Sequence, residues 1–586
     1  MALKPKSLSP PKRLSPTRAL ASRTPALLPG QLLSRPSGVL VGRNLESGEL
    51  VVVKPSDLKT HTHIVGTTGV GKSKFLEILA RQIIVAKSKP ALIVLDPHGD
   101  LYYDLLAFCA AKGIAKRLVL LDPRESRYIT GFNPMRRDRR TLEYQSSMML
   151  EAIRKCWGME TFHQTPRMAR WLYNTILTLI EANLTLKEAP LLLDPLESPL
   201  RRVIVQKVSD PIVRRDWEWF ERQKPTIREE RTESAYSRIR PFLQNPAISN
   251  ILTQQKTTIQ FDKILSEGKI LLVNLKPYGI MSHDDAQLLG TLLINDILAA
   301  SFQRDPQERR SCYLMIDEFQ NFVTKDLCTI LAGGRKFTLY LILAHQHLSQ
   351  LQHRDPEIFY STAIARTKIV FGGLPAKDAE LAVQEMAVLN LTEVKQEIYR
   401  TFFEPVETTR RIVTTHEGRI SSQGVLQGFS SGAVYGPDGA LFDPLLARSE
   451  YTTSAETSGR GESWGISESE SPFYIHRKRK ELASREFWRL DEQLYRATIK
   501  LRDLPNQVFA LKAPNHDLVF CQAPKLRQPK ISPKRLDEFK HQVFEQGGFA
   551  SKPEAIQDEE RQRLEALKTL LTSNYSDDDE DVDYAT

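Results

Sequence analysis

The run Ile64-Val65-Gly66-Thr67-Thr68-Gly69-Val70-Gly71-Lys72-Ser73, followed at once by the helical spacing of Phe75, Leu76 and Leu79, leaves this chain few folds to choose from. An apolar strand, a glycine-rich turn and a helix in that order aim successive backbone N–H groups and a helix N-terminus at one point, which suits a phosphate. Lys72 adds a compact positive charge where β- and γ-phosphates would lie, and the Ser73 hydroxyl is placed to ligate Mg²⁺. Gly66, Thr67, Thr68, Gly69, Val70, Gly71, Lys72, Ser73 and Lys74 are therefore the candidate nucleotide-binding residues.

Such a loop needs a parallel sheet around it, and the chain supplies the strands. Ala91-Leu-Ile-Val-Leu-Asp96-Pro-His-Gly-Asp100 and Leu118-Val-Leu-Leu-Asp122-Pro123 are buried strands that end in an acid and a turn, a helix-length apart. Strands separated by helices, each with polar residues at its C-terminal end, predict a sheet carrying its site along that edge. Asp96 then lies near the nucleotide, either in the chemistry or fixing its own turn. From Arg136 to Phe261 the pattern changes to helical spacing, as in Met168, Trp171, Leu172, Leu179 and Ile180, and predicts an all-α insertion. Strand signals resume at Lys269–Leu275, with a helix over 284–302.

The second half of a nucleotide engine follows. Cys312-Tyr-Leu-Met-Ile316 closes on Asp317-Glu318, where Asp317 can hold the Mg²⁺ shell and Glu318 can activate the attacking water. Leu339–Leu343 delivers Ala344-His345-Gln346, whose amide can report the γ-phosphate or merely cap a strand end. Thr367–Phe371 is the last strand read in the core.

At this point GTTGVGKS, LDPHGD, GFNPM, IDEFQNF, GGRKF and AHQ, in that order, resemble the HerA/FtsK superfamily of DNA-pumping ATPases, nearest to soluble relatives of type IV coupling proteins. The resemblance covers about 38–386, with 492–505 similar to a C-terminal strap of the same group. It implies an α/β, RecA-like P-loop NTPase core with a mainly parallel central sheet, ATP and Mg²⁺ as cofactors, and a homo-hexamer with DNA through its centre. It also implies hydrolysis by Asp317 and Glu318, γ-phosphate sensing by Gln346, and an arginine finger at Arg335 that reaches a neighbouring subunit. Partners expected on the same ground are a relaxase, a nuclease or a secretion-channel protein.

Composition sets the remaining bounds. The chain has 586 residues, 41% of them hydrophobic, room for more than one domain. With 81 Lys+Arg against 71 Asp+Glu it leans towards a polyanionic partner. Cys109, Cys156, Cys312, Cys328 and Cys521 have no metal-ligand or disulfide-framework spacing and read as reduced, mostly buried thiols. Apolar runs such as Leu339–Ala344 fall far short of the ~18 residues that span a bilayer, so a cytoplasmic protein with no integral membrane segment is expected. Its basic arm could touch the inner membrane peripherally.

The expected organisation is a disordered basic arm over 1–36, an ATPase core over 37–135 and 262–405, and the all-α insertion over 136–261. A flexible low-complexity insertion over 406–472, a C-terminal strap over 473–526, and a basic linker, helix and acidic tail over 527–586 complete it. The tail, Asp577–Asp583, reads as a solubilising end or as a partner-docking or DNA-mimicking one. The functions that compete are a DNA translocase for transfer, a HerA-like end-processing or genome-packaging motor, and a nucleotide-gated DNA-binding scaffold that does not pump.

Overall fold

The computed structural model describes residues 38–157, 166–196, 198–322, 325–354, 356–386, 393–420, 425–435, 441–443, 448–454 and 462–578. The basic arm, and the acidic tail past 578, lie outside them. The chain forms two compact units, residues 1–388 with 494–586 and residues 389–493.

In the first unit, β1 (Val39–Asn44) and β2 (Leu50–Val53) form a hairpin ahead of β3 (Thr62–Val65), and α1 (Lys72–Val85) follows. Next come β4 (Ala91–Asp96), α2 (Asp100–Lys112) and β5 (Leu118–Leu121). The insertion is helical as expected, with α3 (Leu142–Cys156), α4 (Pro166–Glu181), α5 (Pro211–Glu221) and α6 (Pro225–Gln244) among its helices. The core resumes with β6 (Ile270–Asn274), α7 (His283–Gln303), β7 (Cys312–Ile316), α8 (Lys325–Gly333), β8 (Leu339–His345), β9 (Thr367–Phe371) and α9 (Ala376–Met386).

Strands β9-β3-β8-β7-β4-β6-β5 are parallel neighbours in that order. Their residues alternate between two cores, one on each face of the sheet. On β4, Leu92 and Val94 join the cluster containing Phe75 and Leu76 of α1, while Ile93 and Leu95 join the one containing Trp171 of α4 and Leu289 of α7. A strand buried on both faces must be apolar throughout, which is why β4, β7 and β8 carry near-unbroken apolar runs. The helical insertion shares a core with one face of the sheet.

The sheet extends further than the parallel strands. β15 (Val508–Ala513) lies antiparallel to β9, β16 (His516–Gln522) pairs with β15, and the β1–β2 hairpin adds to β16. The C-terminal segment is thereby wedged between β9 and the N-terminal hairpin. Phe509 of β15 lies 4.9 Å from Phe75 and 5.3 Å from Phe371, centroid to centroid, so one aromatic cluster ties this segment to the loop helix α1.

The second unit departs from expectation. Residues 406–472, read as a flexible insertion, contain strands: β10 (Val394–Ile420) pairs along its length with β14 (Glu462–Phe487), and β11 (Val425–Tyr435), β12 (Leu441–Asp443) and β13 (Arg448–Ser454) complete a five-stranded sheet. Where described, the side chains of β10 and β14 are mostly exposed on both faces and need no apolar alternation, so the Ser/Thr-rich sequence resembles a linker, yet Thr favours strands. Cross-strand ion pairs such as Glu404–Arg479 at 2.7 Å and Glu397–Arg485 at 3.1 Å support the register.

The strap expected over 473–526 is shortened by the same finding. Residues 473–487 belong to β14, and the helix expected from 486 is α10 (Leu490–Arg502). Part of the basic linker also proves ordered as α11 (Pro533–Gly547), whose Phe539, Val543 and Phe544 are buried at helical spacing, before α12 (Pro553–Asp578). Among the described residues no helix is long and apolar enough to cross a membrane.

Candidate nucleotide site

Parallel strands deliver their C-terminal ends to one edge of the sheet, and there a cavity of about 770 Å³ opens. The turn after β3 reaches it through Gly71, whose φ of 107° caps α1 in a conformation that a side chain would strain. Thr67, Thr68, Gly69, Gly71, Lys72, Ser73 and Lys74 line the cavity. Gly66 and Val70 do not; a Cβ on Gly66 would stand 2.9 Å from the Phe371 Cβ, so Gly66 is needed for close packing. Lys74 differs from expectation too. Its ammonium pairs with Glu77 at 3.1 Å and with Asp104, and only its place in the first turn serves the loop.

β7 brings Asp317 and Glu318 to the same place. Ser73 Oγ donates to Asp317 Oδ2 at 3.0 Å, and Lys72 Nζ lies 2.5 Å from Glu318 Oε1 and 3.7 Å from Asp317 Oδ1. All three charged side chains are buried. Glu318 sits at φ 46°, left-handed and strained for a residue with a side chain, which places its carboxylate over the loop; its N–H donates to Asp317 Oδ1 at 3.0 Å. From β8, Gln346 closes the ring: its Nε2 donates to Glu318 Oε1 at 2.8 Å, and its Oε1 accepts from Thr68 Oγ1 at 3.1 Å.

Burial and neighbouring charges shift the acidity of these groups in different directions. Burial pushes the Asp317 carboxyl above its ordinary range, against the pull of Lys72. Burial works on Glu318 as well, but there His98, Lys72 and Gln320 together outweigh it and hold the carboxyl well below its ordinary range. Gln320 Nε2 donates to Glu318 Oε2 at 2.9 Å. His98 Nε2 stands 3.8 Å from Glu318 Oε1, a charge contact rather than a hydrogen bond, and that neighbour holds the imidazole above its ordinary range. Oxygen donors facing each other on Ser73 and Asp317, with a buried carboxylate short of positive charge, fit a hard divalent cation.

Asp96 takes the turn role. Its two carboxylate oxygens accept from His98 N and Tyr102 N, each at 2.9 Å, so it fixes the β4–α2 turn that aims His98 into the cavity. His98 was legible only as part of LDPHGD; nothing in the spacing set its partner.

Arg335 stands apart. It is exposed in the turn Gly334–Phe337 before β8, at the end of that strand opposite Gln346. The seven residues of β8 separate the two ends by on the order of 20 Å, so Arg335 does not line the cavity.

Three histidines behind the site, His61, His63 and His345, are buried. Burial, helped by Arg335, lowers His61 to about 4, and burial, helped by Lys72, lowers His345 to about 3. His63, 2.8 Å from His345 between their Nε2 atoms, is lowered by burial and by His345. Unfolded, each titrates near 6.5, so their contribution to stability is present above that pH and is lost as pH falls from there towards 4 and then 3. His98 has the opposite sign, but it is half exposed and screened. The urea midpoint should therefore drop between pH 7 and pH 5. An unchanged midpoint over that range contradicts the assignment of neutral, buried imidazoles.

Residues 40–297 match the family model for the central domain of the helicase HerA. Over that span the chain is similar to the HerA central domain. Among solved structures it is similar to the bacterial conjugative coupling protein TrwBdeltaN70 in an unbound form, at 14% identity over 85% of this chain and 92% of that one, TM-score 0.46. It is similar as well to plasmid coupling protein TrwB in complex with the ATP analogue ADPNP, at 14% identity over 86% and 95%, TM-score 0.46. VirB4 of Thermoanaerobacter pseudethanolicus matches at 16% identity over 61% and 90%, TM-score 0.39. No curated protein matches the chain by sequence. The HerA-type match ends in α7, so Asp317, Glu318, Gln346 and the C-terminal segment of this core lie beyond it.

Proposed function

We propose that this chain hydrolyses ATP to drive DNA through the centre of a ring of six copies, as a motor of the type IV secretion kind. The observation that carries the reading is the convergence of Lys72, Ser73, Glu318 and Gln346 on one cavity, with Asp317 hydrogen-bonded to Ser73 and Glu318 strained into place. What favours DNA as the track is the HerA-type match and a net charge of +10.

The loop amides and the N-terminus of α1 take the β-phosphate, and Lys72 leaves Glu318 for the β- and γ-phosphates. A buried carboxylate that loses its ammonium partner is left as a base, held by Gln346, Gln320 and His98. Glu318 then accepts a proton from the attacking water, while Gln346 links it to Thr68 of the loop and so senses whether the γ-phosphate is present. Ser73 and Asp317 would hold Mg²⁺, which when bound neutralises charge developing on the phosphate oxygens. Arg335, remote from its own cavity, acts on the neighbour's. The partner next in line is a relaxase, a nuclease or a secretion-channel protein.

Phosphate release with ATP, measured with and without added DNA, tests the reading. The expected result is hydrolysis that DNA raises severalfold. Binding of ATP without phosphate release in either condition would leave a nucleotide-gated scaffold and overturn the motor.

A further inference from the structure

The loop that holds the phosphate is itself held by a residue from far down the chain. Gln507, between α10 and β15, donates its N–H to the Val70 carbonyl at 2.8 Å, and its own carbonyl accepts from Ala523 N at 2.8 Å and Gln522 Nε2 at 3.1 Å. The segment before it is fastened as tightly. Gly373 N donates to the Arg502 carbonyl at 2.9 Å, and a Cβ on Gly372 would stand 2.2 Å from the Leu504 carbonyl oxygen. Gln507 has φ 64°, a left-handed conformation where glycine or asparagine is the economical choice. A glutamine persists there when its surroundings impose the backbone and its side chain has a use.

The place of that side chain suggests the use. Gln507 lines the cavity, and its Cγ lies 3.3 Å from where a Gly71 Cβ would stand, beside the turn that opens α1. Among the described residues its amide makes no hydrogen bond, while its backbone makes three contacts with neighbours. An exposed amide at the mouth of a phosphate turn offers donors to an anion and an acceptor to a hydroxyl.

We infer that Gln507 is a nucleotide-binding residue: the C-terminal segment pins the phosphate loop through its backbone and hydrogen-bonds the nucleotide through the Gln507 amide. This rests on the ATP-site reading above. It makes the nucleotide site a composite of the HerA-type domain and a segment outside it, so that ATP binding and the seating of the C-terminal segment favour each other.

Three variants separate side chain from backbone. Gln507→Gly removes the amide and relieves the left-handed strain, Gln507→Ala removes the amide and keeps the strain, and Gln507→Asn keeps an amide and tolerates the conformation. Titration of the full chain with Mg-ATP should show affinity weakened roughly tenfold in Gln507→Gly, the scale of one hydrogen bond to a charged group. The melting temperature without nucleotide should not fall, KM should rise with kcat retained, and Gln507→Asn should recover part of the affinity. Parental affinity in Gln507→Gly overturns the proposal, as does weakened binding in Gln507→Ala alone, which would reduce Gln507 to a backbone prop. If the parent binds Mg-ATP no better than Lys72→Ala does, the ATP-site reading itself fails, a result distinct from either.

Discussion

Arg335→Ala should bind nucleotide as the parent does and lose about 10³–10⁵-fold in turnover, the range that arginine fingers supply elsewhere. The proposed action on a neighbouring copy requires that split. Arg335 is exposed beyond the far end of β8, while Lys72, Ser73, Asp317 and Glu318 stand at the near end, so the substitution leaves the subunit's own cavity intact. Mixing tests whether it acts on a neighbour. Subunits carrying Arg335→Ala combined with Lys72→Ala subunits form junctions in which an intact cavity from the first faces an intact arginine from the second. Partial ATPase activity should return although neither variant is active alone. A mixture as inactive as its components, with mixed assemblies demonstrated by size, removes Arg335 from the mechanism.

The second large effect concerns Glu318. Glu318→Gln keeps the shape and an acceptor for one of the two hydrogen bonds from Gln346 and Gln320 but cannot take a proton, so ATP should bind and hydrolysis should fall by about 10²–10⁴. Lys72→Ala should fail earlier, at productive binding. It also strips Glu318 of its buried partner at 2.5 Å, so a loss of stability without nucleotide should accompany the loss of binding. Hydrolysis by Glu318→Gln at the parental rate would assign water activation to another group.

The difference in what these residues disclose from sequence is physical. Gly71 before the apolar-rich helix α1, and an apolar β7 closing on Asp317-Glu318, are local patterns imposed by the chemistry, so loop, strand and acids were readable without a structure. The position of β3 between β9 and β8 is a long-range pairing that leaves no local trace, and neither does the Glu77 and Asp104 engagement that turns Lys74 aside. His98 and Gln507 depend wholly on such pairings. The ribbon of β10 and β14 was missed because strands exposed on both faces lack the burial that writes alternation into a sequence. In α11 the signal was present in Leu536, Phe539, Val543 and Phe544, and the neighbouring lysines and arginines masked it.

Movement along DNA is the central claim, and ATPase activity alone does not establish it. The direct measurement is displacement of a third strand from a DNA triplex, with ATP supplied and the Glu318→Gln protein as the comparison. The account predicts displacement by the parent that requires ATP and a duplex long enough to travel, with none by Glu318→Gln although that variant still binds ATP and DNA. Vigorous DNA-stimulated hydrolysis by the parent with the third strand left in place would contradict it.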